Sequence, residues 1–221
     1  MPGQDETAQL QGQPDRDRRG GGDRQRLMLR TAKLRCRNGE YACVVHDVSE
    51  SGLKLRLFHA HSPETHMFVE LANGALFAIE RRWTDGAFAG FRFSSPIDVE
   101  AFVREPNPLG RRPIRLCFQR QAVVKAGDGG GHAMLVNLSQ HGACVEAGRK
   151  LAVKERVRLE VEGLPPRVGH VCWRRNFAHG IVFQESFSLE ELAWHAFALQ
   201  PYEAEQAATG AWASGEVALC A

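Results

Sequence analysis

Arginine, an Asx residue, serine and glycine recur in one order at two places in this 221-residue chain. Arg111 and Arg115 stand four apart and precede Asn137, Ser139 and Gly142. Arg26 and Arg30, spaced alike, precede Asp47, Ser49 and Gly52. A guanidinium fork pairs bidentately with phosphate or with guanine O6 and N7, and its flat face stacks on a purine. A carboxylate or amide oxygen accepts from a guanine Watson–Crick edge, and a hydroxyl adds a small donor and acceptor. Glycine permits positive φ or a close backbone approach. Such sets can bind an anionic, hydrogen-bonding ligand. The competing use of Asx-x-Ser-x-x-Gly is a turn that hydrogen-bonds to itself, and arginine pairs also serve simply to solvate a surface.

Other constellations point to structure rather than chemistry. His59, His61 and His66 have possible metal spacing but sit in a polar loop without partner cysteines or an acidic cluster, which predicts solvated histidines and no metal site. Trp83 and Trp173 lie in alternating stretches and are expected in a core. Asp128 to Gly131 is too short for a phosphate loop and reads as a hairpin tip. Nucleophile-elbow, zincin and repeated carboxylate-pair motifs do not occur, so the expectation is a non-enzyme without a cofactor.

The elements that must position these residues come twice. At an offset of 90, Asp47 to Gly52 falls on Asn137 to Gly142, Trp83 on Trp173, Gly90 on Gly180 and Phe93 on Phe183. Within the first unit, Asn38-Gly39 and Asn73-Gly74 are hairpin turns, and Leu53, Leu55 and Leu57 alternate with Lys54 and Arg56. Within the second, Val157, Leu159 and Val161 alternate with Arg158 and Glu160 ahead of a Gly-Leu-Pro-Pro turn. About six short strands per unit predict a closed barrel, because closure removes exposed edges. A helix follows each barrel. It is a stub from Asp98 in the first; in the second, Ser188-x-x-Glu191 is a capping box.

The predicted organisation is a disordered tail at 1–23, units at 24–104 and 105–200, and a flexible acidic tail at 201–221. Pro106 to Gly110 makes a stiff linker over 105–110. The register of the two arginine sets differs. Arg26 comes opposite Arg115 only with a one-residue gap, so the first unit has one aligned arginine, with Arg24 or Arg30 substituting.

Arg-x-x-x-Arg followed by Asn-x-Ser-x-x-Gly within such a β pattern resembles the PilZ domain, the bacterial receptor module for cyclic di-GMP. The resemblance spans roughly 24–200 as two tandem copies. It implies mainly β architecture: two six-stranded barrels, each followed by a helix, short in the first and longer in the second. It also implies a cyclic di-GMP site at Arg111, Arg115, Asn137, Ser139 and Gly142, and a second at Arg26, Arg30, Asp47, Ser49 and Gly52. Because Arg111 and Arg115 adjoin the linker, a ligand wrapped by them is expected to reorient one barrel on the other. Outputs such as motility or exopolysaccharide synthesis would follow through a protein partner. The alternative is a protein-interaction adaptor with one or both sites degenerate.

Charge and cysteine usage bound the remaining possibilities. The net charge of +2 averages two basic units, +3 and +4, and two acidic tails, −2 and −3. Scattered arginines and few aromatic platforms argue against a nucleic-acid polymer as partner. An N-terminus without an apolar run and six cysteines without C-x-x-C predict a cytoplasmic chain with reduced thiols and no membrane insertion.

Overall fold

The computed structural model describes residues 25–37, 39–59, 64–104, 112–127 and 129–200, with only the backbone of 25–29. The expected tails and the linker at 105–110 lie outside the described residues, as does Arg111. The first six strands are β1 (Gln25–Cys36), β2 (Gly39–Val48), β3 (Gly52–Leu57), β4 (His66–Glu70), β5 (Leu76–Asp85) and β6 (Phe88–Phe93), followed by α1 (Val99–Arg104). The second six are β7 (Leu116–Ala126), β8 (Gly129–Ser139), β9 (Gly142–Ala147), β10 (Arg156–Val161), β11 (Arg167–Arg175) and β12 (Ala178–Phe183), followed by α2 (Leu189–Leu199).

Each set closes into an antiparallel barrel of one topology. The order is β1-β2-β3-β6-β5-β4 in the first and β7-β8-β9-β12-β11-β10 in the second. Period-2 alternation explains which faces turn inward: Leu53, Leu55 and Leu57 are buried while Arg56 is exposed, and Val157, Leu159 and Val161 repeat the pattern. Burying each such side chain contributes roughly 1.5–3 kcal/mol. The repeat read from sequence is therefore one fold built twice.

Each helix closes one barrel. Asp98 Oδ1 accepts the N–H groups of Glu100 and Ala101 at 2.9 and 3.1 Å, which caps α1 and seats Phe102 against Phe77 and Phe93. Ser188 and Glu191 form the expected reciprocal box on α2. Helix α2 has a second role. Its Leu192 and Ala196 pack in the second core, while Phe197 packs against the first. Just beyond it, Gln200 exchanges two hydrogen bonds with the Glu40 backbone, at 2.7 and 2.8 Å, and its carbonyl accepts from Tyr41. The barrels are thus packed on each other through β2 and α2.

Two expectations fail for identifiable reasons. Trp83 and Trp173 are not core residues; they are 46% and 41% exposed. A β-bulge lies beside each, between Arg81 and Trp83 and between Val171 and Trp173, and the added residue turns the indole outward. His59 is not solvated. It is buried, stacked on Phe197 at 4.8 Å and edge-on to Tyr41, because α2 closes over its loop. His61 lies outside the described residues, and His66 is exposed on β4.

Candidate functional site

On the second barrel, Asn137 lies near the end of β8, opposite Cys117 of β7 and Cys144 of β9. Arg115 stands one residue before β7 begins, and its Nη1 donates to Asn137 Oδ1 at 2.9 Å. Its guanidinium is exposed while Asn137 is nearly buried, so the amide holds the fork at the surface with N–H groups still facing outward. Ser139 Oγ donates to the Gly142 carbonyl at 3.1 Å, and the residue is 1% exposed. The self-bonding turn is therefore real here, and Ser139 acts through the shape of that turn. Gly142 is required by close approach rather than by φ: a Cβ there would stand 2.2 Å from the Ile181 carbonyl oxygen.

The first barrel repeats the turn but surrounds it differently. Ser49 Oγ and N both donate to the Gly52 carbonyl, at 3.1 and 2.8 Å, and a Cβ on Gly52 would meet the Phe91 carbonyl at 2.5 Å. Asp47 Oδ2 contacts His46 Nδ1 at 3.0 Å. Beside this turn opens a cleft of about 460 Å³, lined by Asp47, Ser49 and Gly52 together with Lys54, Arg82, Trp83 and Arg92. Trp83 lies flat over Gly90, where any Cβ would collide with the indole at 2.0 Å. Sequence reasoning missed all four additional wall residues. A signal was available: at the 90-residue offset Lys54, Arg82 and Arg92 fall on Cys144, Cys172 and Val182. The second barrel keeps the tryptophan, Trp173 over Gly180, and loses the three cations.

The first arginine pair does not sit as expected. Arg26 and Arg30 lie within β1, Arg26 opposite Asp47 and Arg30 opposite Val45. Between them β1 accommodates one residue more than β7 does between Cys117 and Arg120. Arg26 is thus the ladder counterpart of Cys117, not of Arg115. The one-residue gap exists but runs in the opposite sense to the sequence alignment, because a bulge absorbs it after Arg26 rather than before.

A conjugated purine stacks on an exposed indole, and phosphate seeks guanidinium or ammonium groups. Each barrel offers an exposed tryptophan beside an Asx-Ser-Gly turn; the first adds cations from its own strands, the second an arginine ahead of its first strand. Among the described residues no group of three His, Cys, Asp or Glu side chains is placed to hold a metal ion. No described helix is long and apolar enough to cross a membrane.

Comparison with known proteins places this architecture. Residues 110–194, which contain the second barrel and half of α2, match the family model of the PilZ domain. The match covers the second barrel alone, which is similar to the PilZ domain, and the first barrel repeats its strand order. None of the curated sequences compared with it matches. Among solved structures, the Borreliella burgdorferi PlzA protein in complex with c-di-GMP is 14% identical, with a TM-score of 0.33, over 76% of this chain and 87% of that one. The Bacillus subtilis inhibitor of motility, MotI, is 13% identical, with a TM-score of 0.33, over 76% and 93%. Escherichia coli YcgR in complex with c-di-GMP is 11% identical, with a TM-score of 0.27, over 75% and 80%.

Proposed function

We propose that this chain is a non-catalytic cyclic di-GMP receptor whose second barrel binds the dinucleotide through Arg115, Asn137 and the turn at Gly142, with Arg111 completing the clamp. The observation that carries this reading is the Arg115 guanidinium held at the surface by Asn137, on the barrel that matches the PilZ model. Its outward N–H groups suit phosphate or the guanine Hoogsteen edge. The first barrel is the second site, in which Asp47, Ser49 and Gly52 form one wall and Lys54, Arg82 and Arg92 supply cations. Titration of the full chain with cyclic di-GMP, before and after Arg115→Ala, tests the reading. A charge-assisted contact contributes roughly 1.5–3 kcal/mol, about ten- to more than a hundredfold in affinity. A loss under twofold would reduce the motif to a surface turn.

The output follows from the position of Arg115 at the junction of the barrels. A ligand that prefers one arrangement of that segment biases the interdomain packing by its difference in affinity for the two states. Unchanged scattering dimensions at saturating ligand would remove this step and leave binding intact. A second reading, an adaptor that binds a protein partner without nucleotide, is favoured by Phe177 and Trp194, which are 57% and 49% exposed. Capture of a partner that is indifferent to cyclic di-GMP would support it.

A further inference from the structure

The first barrel contains a buried ion pair whose free valences are spent on the second. Lys33 of β1 and Glu40 of β2 are 7% and 8% exposed, and their Nζ and Oε2 are 2.9 Å apart. Lys33 Nζ also donates to the Arg115 carbonyl at 2.9 Å, and Glu40 Oε2 accepts the Cys117 N–H at 2.9 Å. These two backbone groups flank Leu116 and face the same side of the strand, as the C=O and N–H that bracket one residue do in any strand. The ammonium and carboxylate therefore satisfy the start of β7 as a neighbouring strand would. Arg35 and Glu70 complete the cluster: Arg35 lies 3.3 Å from Glu40 and 3.1 Å from Glu70, and Lys33 lies 3.3 Å from Glu70.

The repeat gives an internal control. At the 90-residue offset Arg35 and Glu70 fall on Lys125 and Glu160, which also pair, at 2.8 Å. Lys33 and Glu40 instead fall on Val123 and Gly130. The outer pair thus belongs to the barrel plan, whereas the buried pair has no charged counterpart at the matching positions of the second barrel. It grips the backbone at the residue whose side chain reaches Asn137.

We infer that Lys33 and Glu40 are positioning residues for the ligand site of the second barrel, fixing the backbone at Arg115 so that its guanidinium is presented on Asn137 before ligand arrives. Affinity at the second barrel then depends on the docked first barrel, through two residues that do not touch the ligand. This inference rests on the proposed receptor function. Preorganisation raises affinity because the ordering cost falls before binding.

The test uses the full chain with cyclic di-GMP, followed by NMR at the Asn137 side-chain amide and the Gly142 amide, which report the second barrel alone. The double variant Lys33→Met/Glu40→Met replaces the buried pair by apolar side chains of similar length, a change that proteins often tolerate without loss of stability. The expected result is an affinity about tenfold weaker with a single cooperative unfolding transition at a modestly lower midpoint, and faster hydrogen exchange at the Cys117 amide. On an Arg115→Ala background the same double change should cost less than twofold. Wild-type affinity in the double variant would overturn the inference, as would full multiplication of the two losses. Failure of the wild-type chain to bind would instead overturn the receptor reading itself, and this inference with it.

Discussion

Replacing Arg92 by valine, the residue at the matching place in the second barrel, isolates what the first cleft contributes. Arg92 is exposed and lines the cleft beside Gly52 and Trp83. The effective dielectric lies between about 20 near a protein surface and about 80 in water, so a phosphate ~5 Å from the guanidinium gains roughly 0.8–3.3 kcal/mol. That corresponds to about fourfold, up to roughly two hundredfold, in affinity. Arg82 should matter less, because Glu80 already neutralises it at 2.8 Å. NMR titration with cyclic di-GMP, read at the Gly52 and Gly90 amides, should show the weakening at low salt. Most of it should vanish near 1 M salt, where screening acts over about 3 Å. The reciprocal change, Val182→Arg, should strengthen binding at the second barrel by a similar factor. If Arg92→Val changes the first-barrel affinity less than twofold at low salt, the cleft is not an anion site.

Two further predictions concern stability. Gly142→Ala places a Cβ against a backbone oxygen that cannot swing aside, so it should cost more than about 2 kcal/mol by denaturant titration. Gly180→Ala meets only the Trp173 side chain, which can rotate away, and should cost about 1 kcal/mol or less; equal costs would contradict the geometry. The acid limb has a defined source in His179, whose Nε2 accepts the Leu151 N–H at 3.1 Å and whose pKa burial holds below its usual 6.5. A depressed histidine pKa means that the unfolded chain takes up the proton first. Stability is therefore full above about pH 6.5 and is lost as pH falls through the lower folded value. His195 adds to this in the same sense, through burial and then the Arg167 charge. His179→Gln should flatten the slope of stability below pH 6.5, and an unchanged slope would rule out His179 as its cause.

Much of the fold was legible because it rests on local pattern. Alternating Leu53, Leu55 and Leu57, the Asn73-Gly74 turn and the Ser188 capping box each report structure within a few residues. The repeat turned twelve such segments into two copies of one barrel. The tryptophans were misread because period-2 reasoning assumes an unbroken strand, and a single bulged residue reverses the face. The cations of the first cleft were missed for a related reason. Lys54, Arg82 and Arg92 come from three strands, and only closure of the barrel gathers them beside the turn.

The sequence by itself determined the duplication and the barrel pattern and named Arg115 and Asn137 for one candidate site, since motif and spacing are properties of the chain; their direct hydrogen bond came only with the fold. It also contained the charge asymmetry between the units, although nothing in the chain order said which charges would meet. Tertiary structure decided that His59 is buried, that Trp83 and Trp173 face outward, and that Lys33 and Glu40 reach across to the backbone at Arg115. These outcomes depend on ladder register and on how α2 docks against β2. Register and docking are set by packing between residues far apart in sequence, where local propensity carries no information.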